Sequence, residues 1–124
     1  MNCLIVRAHP LEENLTRRFS DFASGRLEAT GHKVSLIDLY AEDFDPRLTA
    51  AERGSYYADK YERSGMERHI DALLAAETLV LAFPTWWFGP PAIMKGWLDR
   101  VMAPGVAFDH GRDFGPIEPK LLGL

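Results

Sequence analysis

Three short runs rich in Leu, Ile and Val punctuate the chain: Cys3 to Ala8 (CLIVRA), Lys33 to Leu39 (KVSLIDL) and Thr78 to Phe83 (TLVLAF). Apolar runs of this length read as strands, and near-continuous ones as strands covered on both faces. Between them, apolar residues recur every three or four positions. Leu15, Phe19, Phe22, Ala23 and Leu27 trace an amphipathic helix that starts after Asn14, a natural N-cap, and stops at Gly31. Met66, Ile70, Leu73 and Leu74 trace a second helix, with Glu77 at its end. Ile93, Met94, Trp97, Leu98 and Val101 trace a third, opened by Pro90 and Pro91 where a missing N–H costs nothing. Strands alternating with helices predict an α/β fold in three layers, helices on both faces of a parallel sheet with right-handed crossovers.

A chain of 124 residues is long enough for one domain, which buries roughly two-thirds of its unfolded surface. With 47% hydrophobic and 26% charged residues, the composition is that of a soluble globular domain without a membrane span. The net charge of -4 and the lack of clustered Lys and Arg argue against a nucleic-acid partner. Cys3 is the single cysteine, so no internal disulfide forms, and the opening NCLIVRA has no basic start or cleavage site. The expected location is the cytoplasm. Tyr40 to Gly65 is a long polar excursion with turn signals and one short helix, and its tyrosines suit a lid or a partner surface. From Met102 onward the chain is rich in Gly and Pro and ends in a short apolar tail.

In open parallel sheets, ligands bind beyond the carboxyl ends of the strands. Two loops leave such ends here, AHPLEENLT after the first strand and PTWWFGPP after the third. The first lacks GxGxxG and GxxxxGK[ST], yet it leads into a helix N-terminus whose free N–H groups suit a phosphate. His9 can donate a hydrogen bond or a charge there, with Asn14 and Thr16 as short polar groups. The same residues also fit a plain turn and helix cap. The second loop would expose Trp86, Trp87 and Phe88 together, a patch that monomers avoid. A planar aromatic ligand would stack on these rings, and Gly89 permits close approach; packing into the core or a dimer interface is the alternative. His9, His32, His69 and His110 have no metal-ligand spacing, so no metal site is expected. His69 falls on the charged face of its helix and is assigned no role, and Glu42-Asp43 reads as solvated surface.

The loop AHPLEENLTRRF, together with the pattern FP-x-x-W-x-x-x-PA-I-x-KGW-x-DRV from Phe83 to Val101, resembles the flavodoxin-like NAD(P)H:quinone oxidoreductases, the DT-diaphorase and bacterial drug-modulator group. FDPRLTAAERGSYY is similar to the connector of bacterial members. The resemblance implies a flavodoxin-like domain over residues 1–124, corresponding to the N-terminal two-thirds of the usual family domain. It implies a flavoenzyme that passes two electrons from NAD(P)H through FAD, or FMN, to a quinone. The flavin phosphates map onto His9, Asn14, Leu15 and Thr16, and the ring onto Pro84, Thr85, Trp86, Trp87 and Phe88. Phe108 and His110 occupy the positions of an aromatic segment near the substrate, and a homodimer with the flavin at the subunit interface is expected. The usual catalytic residues and a further strand of the family lie beyond Leu124, so no catalytic residue is assigned. A truncated member that completes its sheet by association, an inactive fragment, or a non-catalytic flavin-binding regulatory subunit of a potassium-efflux system are the alternative readings.

Overall fold

A computed structural model describes residues 1–111, 113 and 115–124. At its centre lies a parallel sheet of three strands, β1 (Asn2–Arg7), β2 (Lys33–Asp38) and β3 (Thr78–Ala82), in the order β2-β1-β3. Ile5 of β1 lies between Leu36 of β2 and Val80 of β3. Five of the six β1 residues are buried, as the near-continuous apolar run demands. The helix α1 (Leu15–Ala29) connects β1 to β2. Two further helices, α3 (Glu67–Leu74) and α4 (Ala92–Val101), flank β3 in sequence, and the short α2 (Ala50–Gly54) lies within the polar excursion. The expected α/β architecture with a parallel sheet is the one observed. Among the described residues, no helix is long and apolar enough to cross a membrane.

One face of the sheet is well filled. Leu4, Val6, Ile37 and Leu39 meet Ile70 and Leu73 of α3 and Met94, Trp97 and Val101 of α4 in a cluster that excludes solvent almost completely. The other face differs. An amphipathic stripe ordinarily turns to the core, yet Leu15, Phe19 and Phe22 of α1 are 65%, 63% and 69% exposed. Only Ser20 of that helix is fully buried, and its hydroxyl accepts from Arg7 Nη1 of β1 at 3.3 Å.

The excursion is not a loose lid. Thr49 caps α2 in a reciprocal box with Glu52, and the Glu52 carboxylate also accepts from Arg100 Nε at 2.9 Å. Arg100 further donates through Nη1 to the Asp45 carbonyl (2.8 Å) and lies 5.5 Å from the centre of the Phe44 ring. Pro46 presses directly on α4 at Gly96, where an added Cβ would stand 2.2 Å from the Pro46 carbonyl oxygen. Tyr61 is buried and donates its hydroxyl to the Arg100 carbonyl, and burial pushes its pKa up to about 12. Of the tyrosines read as lid or partner surface, only Tyr40 and Tyr57 remain exposed.

His69 also departs from expectation. It is buried, and its Nδ1 accepts from the Trp97 indole N–H at 3.0 Å, which leaves the proton on Nε2, 3.3 Å from Glu42. Glu42 lies at the surface, as its sequence context suggests, and also pairs with Arg68. The helical spacing put His69 on a polar face, but that face is covered by the loop after β2. The Gly- and Pro-rich tail carries a small antiparallel pair, β4 (Phe108–Asp109) and β5 (Glu118–Pro119), which the sequence pattern did not suggest. Each strand is too short to show periodicity.

Two outcomes follow from these contacts. Glu52→Ala strands the Arg100 charge in a buried site and lowers the unfolding free energy by about 3–5 kcal/mol, measured by urea titration. Burial, partly offset by Glu42, holds the His69 pKa below its ordinary value. The unfolded chain therefore binds a proton that the folded chain refuses, and stability falls as the pH drops below about 6.5. His69→Gln flattens that slope in denaturation curves recorded across this range.

Candidate functional site

The loop after β1 and the loop after β3 come together at the carboxyl edge of the sheet. His9 is the hinge between them. Its Nδ1 accepts from the Leu11 N–H at 3.1 Å, which places the proton of the neutral ring on Nε2 and leaves that N–H as a donor. Its ring meets Trp86 edge-on, with centroids 6.3 Å apart. Beside it a cavity of about 250 Å³ is lined by Arg7, His9, Asn14, Thr16, Arg17 and Asp38, among others.

Asn14 acts as the N-cap of α1. Its Oδ1 accepts from the Arg17 N–H at 2.8 Å, and its Nδ2 donates to the Leu11 carbonyl at 2.6 Å. With both ends of the amide engaged, Asn14 shapes the loop. The N–H groups of Leu15 and Thr16, in the first turn, have no intrahelical acceptor. The Leu15 side chain is exposed and lies outside the cavity lining.

Arg7 is the strongest local charge and was not singled out from sequence. It is buried, and donates from Nε to Asp38 (2.7 Å) and from Nη1 to Asp21 (2.6 Å). Burial works against its charge, but the two carboxylates more than offset this and its pKa rises above the ordinary value. Because Asp38 and Asp21 balance Arg7, anion attraction in this cavity falls to the α1 N-terminus and Arg17. A lone arginine closing an otherwise apolar strand is the signal that could have revealed it.

The second loop is a tight turn. Trp86 and Gly89 exchange backbone hydrogen bonds, Trp86 N–H to the Gly89 carbonyl at 3.0 Å and the reverse at 3.2 Å. The two central residues have positive φ, 50° at Trp87 and 63° at Phe88, the signature of a type I′ turn that normally takes Asn and Gly. A left-handed conformation costs an L-residue about 1–2 kcal/mol. Both side chains are almost fully exposed, at 95% and 98%. The turn's own bonds leave the Trp87 and Phe88 amides unused. Pro84 is half-buried and Thr85 exposed on the approach from β3.

Phe108 and His110 are placed elsewhere. His110 stacks on Tyr57 at 4.8 Å and donates from Nε2 to the Tyr56 carbonyl at 2.9 Å, and Phe108 lies 6.3 Å from Tyr56. His110 lines a separate cleft of about 650 Å³ with Tyr57, Tyr61 and Arg63. The structure thus unites His9, Asn14 and Thr16 with Trp86, and sets Phe108 and His110 in a second aromatic cluster.

A family described as having a flavodoxin-like fold matches residues 1–123. A protein of Haemophilus influenzae named as an uncharacterized NAD(P)H oxidoreductase is 35% identical, over 97% of this chain and 60% of its own length. The structure of Smu.1420 from Streptococcus mutans superposes with a TM-score of 0.83 at 34% identity, covering 99% of this chain and 63% of that one. An NAD(P)H:quinone oxidoreductase from Methanothermobacter marburgensis superposes with a TM-score of 0.78 at 29% identity, covering 88% of this chain and 57% of that one. The chain therefore spans between half and two-thirds of the length of these proteins.

The left-handed aromatic turn carries a measurable cost. Phe88→Gly relieves the strain at that position and raises the unfolding free energy by about 1 kcal/mol, seen as a higher melting temperature.

Proposed function

The chain belongs to the family of flavodoxin-like fold, and from that membership we propose that it forms the flavin-binding part of an NAD(P)H dehydrogenase that passes two electrons through FAD to a quinone. The observation that carries this reading is the His9–Trp86 contact, which joins an anion-ready helix end to an aromatic turn at one edge of the sheet. A flavin has that same pairing of parts, a phosphate at one end and a planar ring at the other. The donors fit as well: His9 Nε2–H and the Leu15 and Thr16 amides face the phosphate end, and the Trp87 and Phe88 amides are free for the polar edge of a ring.

In this proposal His9, Leu15 and Thr16 hold the phosphates, and Asn14 keeps their loop in place. Pro84 and Thr85 lead the chain under the ring, while Trp86, Trp87 and Phe88 border it and keep water away. FAD is favoured over FMN because the cavity continues past His9 to Asp38 and Tyr40, giving room beyond a single phosphate. When bound, the flavin supplies the redox chemistry, and the chain contributes orientation, hydrogen bonds and a dry surface. Phe108 and His110 are proposed to line the approach of the quinone. The proposed working form is a cytoplasmic homodimer.

The test is the visible spectrum of the purified protein after addition of FAD, followed by NAD(P)H oxidation with menadione as acceptor. Uptake of FAD with turnover is expected, and Trp87→Ala weakens flavin binding by up to about tenfold through loss of the ring contact. A colourless protein that takes up neither FAD nor FMN removes the proposal. Tight flavin binding without turnover moves the reading to a regulatory flavin-binding subunit.

A further inference from the structure

We propose that His69 is a positioning residue for the cavity beside His9: with Nδ1 unprotonated it clamps the loop 39–44, and a second proton on its ring frees that loop and loosens ligand binding. The loop has two working sides. Tyr40 and Ala41 line the cavity together with Asp38. Glu42 and Phe44 close over His69, with the Glu42 carboxylate 3.3 Å from Nε2 and the Phe44 ring centre 5.3 Å from that of the imidazole. Local bonds make the loop one unit: Asp38 Oδ1 accepts from the Ala41 N–H at 3.1 Å, and the Phe44 N–H donates to the Leu39 carbonyl at 3.0 Å. A displacement at Glu42 and Phe44 is therefore felt at Tyr40.

The clamp depends on where one proton sits. The Trp97 indole N–H is a donor only, and at 3.0 Å from His69 Nδ1 it needs a lone pair there. Trp97 is fully buried and His69 is 7% exposed, so a lost acceptor is not replaced by bulk water. A proton on Nδ1 sets two N–H groups against each other. The ring relieves this by turning from Trp97, which also takes Nε2 away from Glu42. The surrounding charges do not compensate the added proton. Glu42 faces Nε2 but already pairs with Arg68, whose Nη2 lies 3.4 Å from the same nitrogen. Across the Phe44 ring from α4, Arg100 adds a second positive charge, itself paired with Glu52. Burial outweighs the attraction of Glu42 and, with Arg68 and Arg100, holds the His69 pKa below its ordinary value.

At neutral pH the ring therefore carries one proton and the loop is closed. As the pH falls below about 6.5, the ordinary value that a released ring regains, proton uptake favours the free loop. A ligand that needs Tyr40 and Ala41 in place then binds more weakly, with a slope approaching about tenfold per pH unit for one proton. This role rests on the reading of the cavity as part of a flavin site, while the clamp itself has a readout that needs no ligand.

The experiment follows the full chain from about pH 7.5 to about pH 5, across the ordinary histidine value. It measures FAD affinity by flavin fluorescence and hydrogen exchange of the tryptophan indole N–H groups by NMR. FAD is the probe because its pyrophosphate gains no proton in this range, unlike a phosphate monoester with its second pKa near about 6. Trp86 and Trp87, 43% and 95% exposed, are the references for buried Trp97. His69→Gln keeps an acceptor for Trp97 and a donor for Glu42 but takes up no proton, and His9 is common to both proteins. The wild-type Trp97 indole is expected to lose protection at the acid end while the β1 amides keep theirs, and the variant indole to stay protected. The ratio of variant to wild-type affinity is expected to rise from its neutral value by up to about tenfold per pH unit. A wild-type indole equally protected at both ends, a loss shared by the variant or by the β1 amides, or an affinity ratio constant with pH overturns the proposal. If FAD binds at no pH, the flavin reading fails and the indole exchange alone decides whether His69 clamps the loop.

Discussion

A parallel sheet is stable only when both of its faces are covered, and the two faces of this one are covered to different degrees. On the side of α3 and α4, Trp97, Met94, Ile70 and Leu73 close over Leu4 and Val6 with no measurable exposure. On the side of α1 a single helix is tied to the sheet by the buried Arg7, which pairs with Asp21 of the helix and Asp38 of β2, and its apolar stripe is exposed. The filled face anchors everything that has a fixed position, including the ends of β1 and β3 where the two site loops start.

Much of the pattern that carries the family resemblance turns out to be architectural. In KGW-x-DR, Lys95 and Asp99 pair on the exposed side of α4, and Gly96 makes room for Pro46. Trp97 fixes the tautomer of His69, and Arg100 holds Glu52, Asp45 and Phe44. The motif is a docking plate for the excursion between β2 and α3. It keeps Tyr56 and Tyr61 in place, and through them the second aromatic cluster with Phe108 and His110.

The sheet and its order of elements were legible because each strand is a near-continuous apolar run and each helix has a regular stripe. The first site loop was legible for the same kind of reason: Asn14 reads as a cap, and it is one. What escaped depends on contacts between distant segments. His69 lies on a polar helix face that becomes interior only when Phe44 and Glu42 fold over it. Arg7 needs Asp21 and Asp38, 14 and 31 residues away, before it can be buried. The α1 stripe was read correctly as apolar, but periodicity specifies a face and not the surface that meets it. The left-handed backbone at Trp87 and Phe88 had no precedent in residue preference, which would have put Asn and Gly there.

That turn has a consequence for how a ligand is received. Two mutual backbone bonds between Trp86 and Gly89 fix the backbone of the tip, so the directions of the Trp87 and Phe88 amides are set before anything arrives. Binding then spends little entropy on ordering the loop, and the backbone energy already stored is a form of preorganisation. The tip can thus present two amides in a fixed direction without any change in its own backbone, while the Trp87 and Phe88 side chains stay free to adjust.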